Sequence, residues 1–390
     1  MKKQLTIILI TVFLDIVGLG IVLPVLPFIV EGFGFSEFYV GVTFAIFSLG
    51  MFIGGLIFGR LSDKIGRNKA LEMTIFLNVI GYILFAFSHN LYLFLFARFV
   101  GGLGASGMAV GQSYIADISD NSNRTSNMGL IGAMFGIGFL IGPVIGGFLS
   151  SKFGWNILGI LSGFVAFLNL LLVIFFLPKI TKSEIQAKKE DELYLKQTLK
   201  GKLQNLDKNI LVLFIISFIT ALGFSSMQST FALIMQDRFQ IDSKGVGYLF
   251  GFIGVVAIIY QGKLIKIVRR YFIEKQMLIF GFIFLSLSFF LMSINNYYYA
   301  VFLIIFMFPI GYGTINPTTS ALLSKLAPTH IGKTLGINTS MQSIGNIIGP
   351  FLSGALYIKW SGLPYVISSV LFLLSMLLVI RKINVKVKEN

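Results

Sequence analysis

The stretch Gly129–Leu149 reads GLIGAMFGIGFLIGPVIGGFL and decides the fold class. It is apolar throughout and rich in glycine, and each glycine costs about 1 kcal/mol against alanine in a helix exposed to water. In a lipid bilayer the helix is the only way to pair the backbone, so glycine is tolerated and its small surface lets helices touch closely. The stretch therefore predicts a transmembrane helix that packs tightly against other helices.

The same pattern returns later in the chain. Residues Gly336–Leu356 read GINTSMQSIGNIIGPFLSGAL and match the first stretch at nine of 21 positions without a gap, at an offset of 207 residues. The pair Gly142-Pro143 corresponds to Gly349-Pro350 at this offset. Because a shared Gly-Pro is harder to obtain from apolar composition alone, we predict a duplicated bundle whose halves are related by a pseudo-twofold axis along the membrane normal.

The composition supports a membrane protein. Of the 390 residues, 56% are hydrophobic and 12% are charged, and the mean hydropathy is +0.87, whereas soluble domains contain about 25% charged residues. Cysteine is absent, which excludes disulfides and cysteine-ligated metals. His89 and His330 fall in predicted loops and are too few for a histidine metal site. We expect neither a metal nor a cofactor.

Twelve stretches are long enough to cross a bilayer core of about 30 Å, which needs roughly 20 apolar residues. The predicted spans, numbered 1 to 12 below, are 5–30, 38–58, 70–88, 91–115, 128–150, 155–177, 210–235, 245–262, 276–294, 299–323, 334–356 and 362–380. The lysine-rich segment 178–209 divides them six and six. We therefore predict an N-terminal half (1–177), a linker (178–209) and a C-terminal half (210–390).

The basic residues are distributed unequally between the two sides. The side of the termini and the linker carries 26 of the 31 lysines and arginines, and the net charge is +15. By the positive-inside rule, the termini and the linker are predicted to be cytoplasmic. The excess charge then meets anionic lipid headgroups, so a nucleic-acid partner is not needed.

Two charged residues fall inside spans. Asp15 lies about 15 Å into span 1 at 1.5 Å per residue, and it is the only acid placed deep in a span. Because an isolated carboxylate in lipid is costly, Asp15 either faces a polar cavity and carries a proton or locks span 1 next to Pro24 and Pro27. Arg98 in span 4 must pair with an acid, carbonyls or water, or extend to the outer interface.

Polar residues mark two further candidate sites. In the turn after span 2, Gly59 and Gly66 allow helix ends to approach closely, and Arg67 can bridge Asp63 to Asp117 at the end of span 4. Other polar residues at membrane depth are substrate-cavity candidates, with interhelical hydrogen bonding as the alternative. These candidates are Gln112, Gln228, Tyr312 and Asn316.

Four signatures occur in order along the chain. They are D-x-x-G-x-G-I-V-L-P-V-L-P (Asp15–Pro27), Gly59–Arg67, Arg98-x-x-Gly101-Gly102-x-Gly104-Ala105, and Gly138-x-x-x-Gly142-Pro143-x-x-Gly146-Gly147. Together they resemble the major facilitator superfamily over nearly the whole chain. The last signature is similar to the motif of proton-coupled antiporters, and the nearest likeness is to bacterial drug exporters of the tetracycline-efflux type.

This resemblance implies an all-α integral membrane protein of the major facilitator fold, with twelve transmembrane helices in two pseudo-symmetric six-helix halves. It implies a monomer in a bacterial-type plasma membrane that exchanges protons for a small molecule. Asp15 and Arg98 would couple the proton, and Asp63, Arg67 and Asp117 would form a latch holding the cytoplasmic ends of spans 2, 4 and 11 in the outward-open state.

Departures from these relatives narrow the substrate. Tetracycline exporters carry further carboxylates in spans 3 and 9, and the matching stretches here carry none, which favours neutral, cationic or lipophilic compounds over a tetracycline–metal complex. In the loop after span 8, Lys266 occupies the acidic position, so no clear twin of the latch is expected. A sugar or metabolite transporter is the alternative; a membrane enzyme would need a clustered catalytic set that this chain lacks.

Overall fold

A computed structural model describes residues 2–119, 123–178, 208–327 and 331–383. Within these ranges the secondary structure is helical and contains no strand. The helices of spans 1 to 12 are Lys3–Gly32, Phe38–Ile65, Arg67–Ala86, Leu91–Ile118, Arg124–Phe153, Asn156–Phe176, Lys208–Phe239, Ser243–Leu264, Glu274–Ile294, Tyr298–Leu326, Ile331–Tyr357 and Leu363–Lys382.

In the described part of the chain, eleven helices are long and apolar enough to cross a membrane. The remaining predicted span, 334–356, coincides with the 27-residue helix Ile331–Tyr357. This helix is more polar than the others because its first half carries Asn338, Thr339, Ser340, Gln342 and Ser343. A membrane-spanning helix tolerates such polar side chains where it faces a cavity or other helices instead of lipid.

Three spans depart from a regular α-helix. Span 1 tightens into a 3₁₀ turn at Leu23–Val25, around Pro24. Span 4 is interrupted at Ser106, where the helix Leu91–Ala105 ends and the helix Gly107–Ile118 begins. Span 8 contains the π-helical segment Tyr260–Leu264 and continues as the short helix Ile265–Tyr271. Such irregularities often mark functional segments of helical proteins.

The packing of the spans repeats between the two halves. In the first half, span 1 packs against spans 5 and 6, and span 4 packs against spans 2 and 3. In the second half, span 7 packs in the same way against spans 11 and 12, and span 10 packs against spans 8 and 9. Between the halves, span 5 packs against span 8 and span 2 against span 11. The bounds 1–177, 178–209 and 210–390 remain a prediction, and most of the linker lies outside the described residues.

The halves touch on the side opposite the termini. There the Oγ atoms of Ser150 in span 5 and Ser243 in span 8 lie 2.8 Å apart, and Gln236 Nε2 donates to Glu31 Oε2 at 2.7 Å. Toward the termini, a Cβ added at Gly132 in span 5 would meet nothing within 4 Å. The contacts between the halves at Ser150–Ser243 and Gln236–Glu31 therefore close the side opposite the termini.

Candidate functional site

Asp15 lies in a polar cluster formed by spans 1, 3 and 6. Asn169 Nδ2 in span 6 donates to Asp15 Oδ1 at 3.2 Å and to the Thr11 carbonyl oxygen at 3.3 Å. The side chain of Asn78 in span 3 also hydrogen-bonds to the Asp15 carboxyl group. Both asparagines are buried, whereas Asp15 is half-buried. Two amides therefore hold a carboxyl group that keeps part of its surface accessible.

Tyr82 lies close to both Asp15 and Arg98. Its side chain interacts electrostatically with both of them. Its hydroxyl group lies against Gly18, one turn after Asp15: a Cβ atom added at Gly18 would be 2.8 Å from the hydroxyl oxygen. Although all of these residues are described, Arg98 and Asp15 form no ion pair with each other. Direct pairing, which the sequence left open, does not occur in this conformation.

Arg98 is a buried cation with unused donors. The residue is 3% exposed, and its Nε and Nη2 atoms have no hydrogen-bond partner in the structure. The guanidinium carbon lies 4.3 Å from the centroid of the Phe47 ring, a distance typical of a cation–π contact. The alternative in which Arg98 extends to the outer surface is wrong, because the side chain is enclosed by the bundle.

The turn between spans 2 and 3 binds the end of span 4. Arg67 Nη1 donates to Asp63 Oδ1 and to Ser62 Oγ, both at 2.5 Å, while Arg67 Nε donates to Asp117 Oδ2 at 2.9 Å. Gly66 has a φ of +96°, which a residue with a side chain rarely adopts, and Gly59 accepts a hydrogen bond from Ser62. The structure thus brings the predicted latch residues together. It does so while the side opposite the termini is closed, so these ion pairs are not confined to the outward-open state that the resemblance implied.

The glycine motif of span 5 forms two contact surfaces. On one face, Gly138, Gly142 and Gly146 pack against span 1, and a Cβ added at Gly142 would lie 2.8 Å from the Cα atom of Gly20. Pro143 also contacts Gly20. On another face, Gly147 packs against the start of span 8, where an added Cβ would clash with the Ser243 carbonyl group. The motif therefore joins span 1 to span 8, and so one half to the other.

The cavity candidates of the second half meet through an aromatic stack. The rings of Phe224 in span 7 and Tyr312 in span 10 stack with centroids 4.5 Å apart, and Tyr312 hydrogen-bonds to Asn316. Gln228 lies one turn after Phe224, and all four side chains are half-buried. Gln112 is exposed on span 4, in the first half, and belongs to a separate part of the structure.

Sequence reasoning missed Asn78, Tyr82, Asn169 and Phe224. Asn78 and Asn169 carried a usable signal, because each is the one amide side chain in the middle of an otherwise apolar span. Phe224 carried none, since it is one of 41 phenylalanines. The roles of Tyr82 and Phe224 become visible only when the helices are packed.

Comparisons with known proteins agree with this architecture. The family model of the Major Facilitator Superfamily matches residues 8–330 and 270–390. The chain is 28% identical over 361 residues to the quinolone resistance protein NorA of Staphylococcus aureus, covering 92% of this chain and 90% of that protein. It is 26% identical to the multidrug resistance protein 2 of Bacillus subtilis, covering 91% and 89%.

Two solved structures share the fold. A D-xylose–proton symporter superposes with a TM-score of 0.82 at 16% identity, covering 98% of both chains. The human organic anion transporter MFSD10 superposes with a TM-score of 0.74 at 20% identity, covering 97% of this chain and 99% of that one. The predicted fold class is confirmed, and so is the expectation of a membrane transporter instead of an enzyme.

Proposed function

Because the chain belongs to the major facilitator superfamily, we propose that this transporter is a proton-coupled antiporter that exports small lipophilic compounds by alternating access. The observation that carries the proposal is the Asp15 carboxyl group, held at membrane depth by Asn78 and Asn169 beside Tyr82 and Arg98. Ionisable residues inside a membrane are costly and mark ion or substrate pathways. A structural brace would not need an accessible carboxyl surface.

The proton acts through the charge of this cluster. When Asp15 is ionised, its charge offsets that of Arg98, whose Nε and Nη2 atoms lack partners. When Asp15 is protonated, the buried guanidinium becomes the uncompensated charge of the cluster. A bound proton shifts a conformational equilibrium only if it interacts differently with the two conformations. The proposal therefore requires spans 1, 3, 4 and 6 to surround this cluster differently in the two states.

The substrate is proposed to bind against the aromatic stack of the second half. Phe224 and Tyr312 present ring surface, and Gln228 and Asn316 add amide groups beside it. Ligand pockets combine apolar and aromatic surface with a few polar groups in this way. The names of the relatives, which refer to quinolone and multidrug resistance, support drug export. Gln112 is a candidate contact from the first half.

The remaining assignments follow from this function. Asp63, Arg67 and Asp117, with Gly59 and Gly66, are proposed to act as a latch that sets the populations of the two states. Charge pairs that break in one state and re-form in the other suit a two-state element. We propose that the protein works as a monomer in a bacterial-type plasma membrane, with both termini and the linker in the cytoplasm.

Transport in proteoliposomes with an imposed pH gradient tests the proposal. Wild-type protein should move a lipophilic dye against the concentration gradient of the dye, driven by the imposed proton gradient. Asp15→Asn should abolish this uphill transport while retaining dye binding. Asp15→Glu should keep part of the activity because it keeps a titratable group. Asp242→Asn is the control, since Asp242 is exposed and caps the start of span 8.

Three results would overturn the proposal. Undiminished proton-driven transport by Asp15→Asn would leave Asp15 as a brace of span 1. Uphill transport by the wild type without a proton gradient would remove the coupling itself. Concentrative uptake of a sugar, with no dye transport, would establish the alternative function on the same scaffold.

A further inference from the structure

Two lysines lie over one aromatic ring on the side opposite the termini. Lys152, near the end of span 5, and Lys244, near the start of span 8, place their Nζ atoms 4.6 Å and 5.8 Å from the centroid of the Phe148 ring. These distances are typical of cation–π contacts. Because spans 5 and 8 belong to different halves, one ring holds a positive charge from each half.

Neither ammonium group is neutralised within the part of the chain that the structure describes. Both lack an ion pair and a hydrogen bond to the protein there, and Asp242, beside the start of span 8, uses its Oδ1 atom to accept from the Gly245 amide. Arg238, on the same side, is by contrast engaged, since it donates to three carbonyl groups and to Ser361. Two neighbouring like charges repel each other, and an anion between them would offset the repulsion.

This concentration of charge runs against the distribution of basic residues in the chain. The side of the termini and the linker carries 26 of the 31 lysines and arginines, and membrane proteins carry such an excess on one side only. Of the four basic residues on the opposite side, two nevertheless lie over the Phe148 ring. Their placement favours a negatively charged ligand at this point of the surface.

The equivalent contact between the halves, that of span 2 with span 11, carries a different charge. Lys359, at the end of span 11, lies 207 residues after Lys152, but the residue that precedes span 2 is Glu37. Span 2 then begins with Phe38, whose ring packs edge-on against Phe351 with centroids 5.4 Å apart. The repeated packing therefore does not require two lysines, and the contact of spans 2 and 11 offers a neutral comparison within the same molecule.

An apolar strip continues from the lysines toward the middle of the membrane. It consists of side chains that are 36% to 52% exposed along the line where spans 5 and 8 touch, and its members are Ile141, Phe148, Tyr248 and Val255. On each span the two members are seven residues apart, so they share one face of the helix. The lysines and this strip, named the 5/8 seam below, thus combine a cationic end with an apolar surface about 10 Å long.

We propose that one anionic phospholipid, from the leaflet on the side opposite the termini, binds at the 5/8 seam. Its phosphate group lies between Lys152 and Lys244, and its acyl chains lie along the apolar strip. An apolar strip alone would accept any lipid, whereas the two unpaired cations select a negative headgroup. Because the lysines belong to different halves, the bound lipid bridges the halves and favours closure of this side. Binding requires neither proton coupling nor drug export.

Quenching of tryptophan fluorescence by a brominated lipid tests the site. Replacing both native tryptophans, with Trp155→Phe and Trp360→Phe, leaves a full-length chain without tryptophan. Tyr248→Trp then places one reporter on the 5/8 seam, and Phe351→Trp places a matched reporter, at a residue 49% exposed, beside the contact of spans 2 and 11. Each protein is studied in nanodiscs of phosphatidylcholine that contain a minor fraction of phosphatidylglycerol brominated on its acyl chains.

The two reporters should sense different lipid compositions. Brominated phosphatidylcholine calibrates the lipid access of each reporter. At the Tyr248→Trp reporter the local fraction of phosphatidylglycerol should be about fivefold above its bulk value, the factor that the attraction of one lysine to an anionic surface supplies. At the Phe351→Trp reporter it should equal the bulk value. Equal enrichment at both reporters would overturn the proposal.

Charge variants identify the residues that bind the headgroup. Lys152→Gln combined with Lys244→Gln should abolish the enrichment, the corresponding double change to arginine should retain it, and Lys359→Gln is the control that should leave it unchanged. Raising the ionic strength should lower the enrichment, because salt screens exposed charges. Enrichment that survives the loss of both lysines would overturn the proposal whatever the transport assays show.

Labelling of Ser150→Cys by an impermeant maleimide tests the bridging of the halves. Ser150 lies against Ser243 in the contact between spans 5 and 8, so the cysteine reacts when that contact opens. Phosphatidylglycerol should slow the labelling relative to phosphatidylcholine alone, and it should have no effect once Lys152 and Lys244 are replaced by glutamine. Equal rates in both lipids with the lysines present would overturn the bridging of the halves by the bound lipid.

Discussion

At the scale of single residues, the amides around Asp15 determine how its charge is tolerated. Hydrogen bonds to charged groups contribute about 1.5–3 kcal/mol each, and Asn169 supplies one from a fully buried position. We expect Asn169→Ala to lower the rate of proton-driven transport about tenfold or more, since about 1.4 kcal/mol corresponds to a factor of ten. Dye binding should change little, because the substrate is proposed to bind in the other half.

Ser162→Ala is the matched control for this variant. Ser162 is buried in the same span and donates to the Gly18 carbonyl oxygen at 3.4 Å, but it does not touch Asp15. Initial rates and dye affinity measured on both variants in the same proteoliposomes separate a local electrostatic effect from a general weakening of span 6. Equal loss in both variants would assign Asn169 a purely structural role.

The same residues show how far the sequence alone could go. A charged side chain in an apolar span is visible in the sequence because lipid tolerates it poorly, and this made Asp15 and Arg98 candidates. The distance between them depends on helix rotation, which the sequence does not specify. Tyr82 interacts with both of them, and a tyrosine in a span is too common to be singled out.

At the scale of helices, the latch should depend more on Asp117 than on Asp63. The Asp117 side chain is 20% exposed and that of Asp63 is 56% exposed, and exposed ion pairs contribute only about 0–1 kcal/mol. We expect Arg67→Ala and Asp117→Asn to reduce transport strongly and Asp63→Asn to reduce it less. Membrane insertion and dye binding should remain in all three variants.

Lys64→Ala is the control for the latch. It is an exposed cation in the same turn and makes no described ion pair. Transport rates in vesicles with a proton gradient check the order of the variants. A rate for Arg67→Ala equal to that of Lys64→Ala would remove the latch from the mechanism.

Two glycines of span 5 should respond differently to an added methyl group. Gly147 touches span 8, in the other half, so a methyl group there disturbs the contact between halves, whereas Gly132 has open space. Overpacking typically costs about 1–3 kcal/mol. We expect Gly147→Ala to increase labelling by an impermeant maleimide of a cysteine introduced at Ser150, which lies against Ser243 in the contact between the halves. Gly132→Ala should leave the labelling unchanged, and labelling that is equal in both variants would contradict this assignment.

The glycine pattern also shows what a sequence repeat can establish about helices. The shared Gly-Pro predicted the duplication, and the repeated packing of spans 5 and 11 follows from it. The break at Ser106 and the π-helical segment Tyr260–Leu264 were not predictable. Both depend on contacts with neighbouring helices, which compensate for the irregular backbone.

At the scale of the whole molecule, alternating access requires the halves to move as bodies, and two serine pairs can test this. Ser150 and Ser243 join spans 5 and 8 across the halves, with Oγ atoms 2.8 Å apart. Ser229 and Ser353 join spans 7 and 11 within the second half, with Oγ atoms 2.9 Å apart. Both pairs are close enough for cysteines to form a disulfide with little movement.

We expect oxidised Ser150→Cys/Ser243→Cys protein to lose transport, because the bond keeps the side opposite the termini closed, and a reductant should restore the rate. Oxidised Ser229→Cys/Ser353→Cys protein should keep transporting, since that bond lies inside a body that moves as a unit. Mass spectrometry of the oxidised proteins verifies that each disulfide has formed. Full transport through the locked Ser150–Ser243 pair would mean that the substrate crosses without separation of spans 5 and 8, and the rocking of two six-helix halves would have to be replaced by local movements of single helices.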